Sequence, residues 1–175
     1  MSSELGGLVN PPSVLVAGVG NIFLGDDGFG VEVVSRLARS KLPAGVVVED
    51  FGIRGMDLAY ALQDYDVAVF VDALPRGNAP GTLYLIEPDL GLGDGEAALD
   101  THGMSPVKVL ALARHLSDRL PRILVVGCEP AQVLDIEHDE LSGELSEAVR
   151  ASLDQAVRMV ESMLDELVNE GRESS

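Results

Sequence analysis

The chain has no tryptophan, a single cysteine and only 4% aromatic residues, and its 12 Lys and Arg are far outnumbered by 29 Asp and Glu. Each shortage excludes something. One thiol, Cys128, can form neither an internal disulfide nor a cysteine-rich metal site. A formal charge of −17 opposes phosphate backbones and anionic lipid, so nucleic acid and membrane are poor partners. The plain reading of that charge is a solvated acidic face that aids solubility; the sharper one is attraction for cations or for a basic protein segment. No apolar run approaches the ~18 residues of a membrane span. The opening "MSSELGGLVNPPS" lacks the basic stretch and apolar run of a secretory signal. A soluble cytoplasmic protein is expected.

What is present suits one domain. The length of 175 residues and a 46% hydrophobic content allow a single core. With aromatics scarce, Val, Leu, Ala and Ile must fill it, as they do in parallel strands buried on both faces. "SVLVAGVG" (from Ser13), "GVVVEDFG" (to Gly52) and "DVAVFVDALP" (to Pro75) read as strands alternating with the helical patterns "FGVEVVSRLARSKL" and "MDLAYALQDY". "GTLYLIEP" follows a turn too short for a helical crossover, so it should run antiparallel to its neighbour. Ser105 and Pro106 have the form of an N-cap and first helical residue, "RILVVGCEP" reads as a fifth strand, and a long amphipathic helix follows from Glu144. The expected fold is α/β: a single-domain three-layer sandwich with a five-stranded, mostly parallel twisted sheet, one antiparallel strand, and helices on both faces. Residues 1–12 read as a flexible leader, 13–168 as the domain, and 169–175 as a frayed tail.

In an open α/β sheet, ligands bind beyond the carboxyl ends of the strands. Asp26 and Asp27 follow strand one, Asp72 closes strand three, and His102 in "DTHGMSP" precedes a helix. In a flavodoxin-like strand order, strands one and three are neighbours and these groups share one rim. Two carboxylates and an imidazole could then hold a divalent transition ion with open positions. Each residue also has an ordinary explanation. Either of Asp26 and Asp27 could cap the next helix, Asp72 could be turn chemistry before Pro75, and His102 could be a surface loop residue. A dinucleotide site is disfavoured: "GVGNIF" puts Phe23 where G-x-G-x-x-G needs its third glycine, and the acidic pair would repel pyrophosphate. The P-loop lysine is also missing. Cys128 has no convincing base beside it and reads as a buried small thiol. His115 reads as a helix-surface residue, and His138 as part of a solvated acidic loop with an auxiliary metal contact as the lesser alternative.

Taken together, "VAGVGNIFLGDDGFGVEVV", "VFVDALPRGNAPGTLYLIEP", "DTHGMSPVKVLALA" and "VVGCEPAQVLDIEHDELSGELSEAV" resemble the maturation endopeptidases of [NiFe] hydrogenases, in order and over nearly the whole chain. The resemblance implies removal of a C-terminal extension from the hydrogenase large-subunit precursor after nickel insertion. It places the family's metal-contacting trio on Asp27, Asp72 and His102, with nickel supplied by the substrate and zinc or cadmium able to take its place in vitro. It also implies a monomer when free. Asp26, Asp50, Gly52 and Gly55 become substrate-recognition candidates. The family's Asp-Gly-Gly-Thr-like stretch reads "EDFGIRG" here, with Ile53 in place of the hydroxyl, so the choice of hydrogenase is left open. Two mechanisms stay open as well: a metal that activates water and polarises the scissile carbonyl, with a carboxylate as base, or a trio that grips nickel to report loading. The absence of an H-E-x-x-H helix favours the second. The rival classes are a nickel-sensing chaperone that holds the large subunit without cutting it, and a nucleotide-binding regulator.

Overall fold

The computed structural model describes residues 10–90, 105–134 and 137–173. The strands are β1 (Val14–Val19), β2 (Val46–Gly52), β3 (Val67–Ala73), β4 (Leu83–Ile86) and β5 (Arg122–Cys128). The helices are α1 (Phe29–Leu37), α2 (Gly55–Ala61), α3 (Pro106–Leu116) and α4 (Glu147–Glu173). One sheet forms in the order β2-β1-β3-β5-β4. β1 pairs in parallel with β2 and β3, and β3 in parallel with β5, while β4 runs antiparallel along β5 from Leu83 opposite Cys128 to Ile86 opposite Val125. The expected α/β architecture is the one observed, including the antiparallel strand.

Alternation along the buried strands builds two cores. Val14 and Val16 of β1, with Val69 and Val71 of β3, meet α1 and α4 on one face. Leu15 and Ala17, with Ala68 and Phe70, meet α2 and α3 on the other. Because successive side chains point to opposite faces, a strand covered on both sides must be apolar throughout, and β1 is buried over its whole length. Each fully buried Val or Leu contributes about 1.5–3 kcal/mol, so the aliphatic layers compensate for the scarcity of large rings.

α3 starts as its sequence suggests: the Ser105 hydroxyl accepts from Lys108 N–H and Pro106 takes the first turn. α4 begins at Glu147, later than expected, because Ser146 Oγ accepts from Val149 N–H and stops the helix there. At its other end α4 continues to Glu173, beyond the domain end expected at residue 168. Gly171 in that stretch lies close against Pro12, so close that a Cβ would fall 2.7 Å from the proline Cδ.

Two glycines set the end of the sheet that matters. A Cβ on Gly30 would fall 2.0 Å from Val71 O and 2.5 Å from Val19 O, so α1 starts pressed onto the ends of β1 and β3. Gly20 has φ +129°, and a Cβ there would fall 1.9 Å from Asp27 O. The glycines after β1 therefore admit a folded-back acidic turn, the role left over once phosphate binding is disfavoured.

Candidate functional site

Asp72 is the second-last residue of β3, paired with Gly127 of β5, and its side chain is buried. The chain leaving β1 enters a single 3-10 turn, Gly25–Gly28, that carries Asp26 and Asp27 to the same end of the sheet. Asp27 accepts a hydrogen bond from Asn21 N–H at 2.7 Å. Burial raises its carboxyl above the ordinary value, and the Asn21 N–H opposes the rise. Asp72 is raised well above its ordinary value, first by burial and then by the charge of Asp27, against a smaller contrary effect of Ala73 N–H. The two carboxylates therefore sense each other in a poorly solvated place. Among the described residues neither takes part in an ion pair. Such a pair is unfavourable without a cation and favourable with one.

The third expected ligand, His102, lies outside the described residues. Among the described residues no three His, Cys, Asp or Glu side chains form a metal-binding group. The Asp27–Asp72 pair has the hard, anionic oxygen donors a divalent ion accepts, and an added imidazole would suit nickel or zinc equally.

Asp26 has different work from its neighbour. Its buried carboxylate accepts from Ser146 N–H at 2.6 Å, Ser146 O–H at 2.9 Å and Ala131 N–H at 2.8 Å. These bonds fasten the acidic turn to the connection between β5 and α4. Neither aspartate caps a helix: the 3-10 turn and α1 both lack a side-chain cap. Among the other recognition candidates, Asp50 is exposed at the end of β2, Gly52 has φ +52°, and Gly55 opens α2. Arg54 bridges this stretch, donating to Asp50 O and pairing with Asp57 at 3.5 Å. Cys128 is buried beside Ser152, with Sγ to Oγ at 3.4 Å, and burial pushes its thiol up, away from nucleophilic character. His115 and His138 are exposed.

Sequence reasoning missed Glu129. Buried at the end of β5, it accepts from Arg76 N–H at 2.8 Å, Gly77 N–H at 3.0 Å and Tyr84 O–H at 2.5 Å. Burial alone would raise its carboxyl; Tyr84 and the backbone donors of Arg76, Gly77 and Asn78 together hold it below the ordinary value. It clamps the segment that leaves Asp72. The available signal was a charged residue closing the apolar run "ILVVGCE".

The strand order and the antiparallel β4 form an α/β fold shared with solved hydrogenase maturation endopeptidases. The hydrogenase maturating endopeptidase HybD of E. coli superposes with a TM-score of 0.68 at 28% identity, covering 87% of this chain and 92% of that one. A hydrogenase 2 maturation peptidase from a Thaumarchaeota archaeon gives a TM-score of 0.61 at 31% identity, covering 86% and 97%. Residues 31–163 match the hydrogenase maturation protease (HycI) family. The hydrogenase expression/formation protein HoxM of Azotobacter vinelandii is 35% identical over 158 residues, 89% of this chain and 73% of that protein. HupD of Rhodobacter capsulatus is 32% identical over 149 residues, 84% and 69%. The chain belongs to the hydrogenase maturation proteases, and it is an enzyme of peptide-bond hydrolysis.

Proposed function

We propose that this endopeptidase removes the C-terminal extension of a [NiFe] hydrogenase large-subunit precursor after nickel insertion, with Asp27, Asp72 and His102 gripping the nickel that the precursor carries. The observation that carries the reading is Asp72, a carboxylate buried at a strand end and raised further by the charge of Asp27. A divalent ion brought by the substrate removes that repulsion, so a loaded precursor binds better than an empty one. The nickel then acts as a loading gauge that brings one peptide bond to the carboxylate rim. Hydrolysis adds water across that bond, the hydroxyl to the carbonyl carbon and the proton to the departing amine. The enzyme works as a cytoplasmic monomer. Among the described residues no helix is long and apolar enough to cross a membrane.

The test incubates the purified protein with nickel-loaded and nickel-free precursor and reads product masses. Cleavage of the loaded form alone is expected. Cleavage of both forms alike removes the gauge, and tight binding without a mass change makes the protein a holding chaperone.

A further inference from the structure

Three backbone segments around the carboxylate pair are stitched into one wall. Gly20 N–H donates to Gly52 O at 3.0 Å, joining the exits of β1 and β2. Gly25 N–H donates to Ser142 O at 2.6 Å, and Leu24 bridges Ser142, joining the β1 exit to the segment that follows β5. From this wall Ile22, Phe23, Ile53, Met56, Val133 and Leu141 stand exposed; Phe23 is 62% exposed and Ile53 65%. Phe23 N–H donates to Asn21 Oδ1 at 2.9 Å and Leu24 N–H to Asn21 O at 3.1 Å, which ties down the backbone of the Phe23 turn. A large apolar side chain on tied-down backbone loses little backbone entropy on being covered, which favours a preorganised docking surface.

We propose that this apolar crown is the docking surface for the precursor and that its occupant is an apolar peptide segment flanked by basic residues. The proposal rests on the endopeptidase reading above. Its first argument is continuity: the crown rises from the same turn that holds Asp26 and Asp27 and from the β2 exit that Gly20 touches. Its second is charge. Exposed Asp50 lies on the β2 exit and exposed Glu140 and Glu144 on the segment that follows β5, the segments that carry Ile53 and Leu141, while Arg54 beside Ile53 is already engaged by Asp57 and Asp50 O. An acidic segment would be repelled here, and a basic one attracted.

The test uses the full-length protein with nickel-loaded precursor and measures binding, KM and kcat. Phe23→Ser, Ile53→Ser and Leu141→Ser are compared with Leu85→Ser, an exposed apolar residue on β4. Each crown variant is expected to weaken binding and raise KM about tenfold, with kcat within twofold. Leu85→Ser should match wild type, and cadmium affinity should stay constant throughout. The proposal is overturned if crown variants bind as wild type, if Leu85→Ser falls equally, or if kcat alone falls. Self-association of the wild type that crown variants abolish, with precursor binding intact, assigns the crown to a second copy and also overturns it. If wild type binds precursor without cutting it, the endopeptidase reading fails and the binding constants alone decide the crown. If wild type does not bind precursor, both readings fall.

Discussion

The adjacent aspartates Asp26 and Asp27 should respond to the same substitution in opposite directions. Asp26 spreads three donors over its two oxygens, with Ser146 N–H on Oδ1 and Ala131 N–H and Ser146 O–H on Oδ2. An asparagine keeps one oxygen, and either way its amide nitrogen faces a backbone N–H. At least one charge-assisted bond is lost and one buried donor is orphaned, so Asp26→Asn should destabilise by about 2–3 kcal/mol. At about 2–4 °C per kcal/mol for a chain of this size, Tm falls by about 4–12 °C. Asp27→Asn keeps an oxygen for Asn21 N–H and removes the charge that raises Asp72. It should stabilise by about 1 kcal/mol while abolishing processing, the usual trade of function against stability. The pH dependence follows from linkage. The folded protein holds the Asp72 proton above the ordinary value of 3.8, where the unfolded chain has already lost it, so wild-type stability declines as pH rises through that window. The advantage of Asp27→Asn therefore grows as pH rises through that window and shrinks towards pH 4. Urea and thermal melts between pH 4 and 8 read all of this. Equal shifts of the same sign for the two variants would refute the assignment of different roles.

Glu129→Gln should destabilise at neutral pH, because it leaves the donors of Arg76, Gly77 and Tyr84 with a weaker acceptor. Since the folded carboxyl lies below its ordinary 4.5, its contribution is present above that pH and lost below it, so melts of variant and wild type should converge in acid. Gly30→Ala drives a methyl into Val71 O and Val19 O and should destabilise by about 3 kcal/mol or more; a soluble variant with wild-type Tm would contradict the close approach of α1. Cys128 should resist thiol reagents in the native state and react once urea unfolds the chain, and Cys128→Ala should retain processing. Rapid native labelling would overturn its assignment as a buried packing residue.

Much of the fold was legible because its signals are local. The continuous apolar runs of β1 and β3 require cover on both faces, the short turn before β4 forbids a crossover, and Ser105 with Pro106 starts a helix without tertiary help. The nearness of Asp27 to Asp72 was also accessible, since it follows from β1 lying beside β3. What stayed hidden depends on contacts between distant positions. Asp26 finds Ser146 across 120 residues of chain, and Glu129 finds Arg76 across 53, and no periodicity records either meeting. The start of α4 was misplaced for a related reason: Ser146 is shared between capping Val149 N–H and holding Asp26, whereas the amphipathic pattern alone runs back to Glu144. At the far end, Gly171 of α4 packs against Pro12, a contact between distant parts of the chain that no local pattern records.

The most direct measurement is a cadmium titration of the free protein, followed by calorimetry and by the cadmium NMR signal. One ion per chain is predicted, seen in an oxygen-rich environment with one nitrogen, and lost in each of Asp27→Asn, Asp72→Asn and His102→Ala while Asp50→Asn leaves it unchanged. Undiminished binding in all three variants would mean that these side chains do not share an ion.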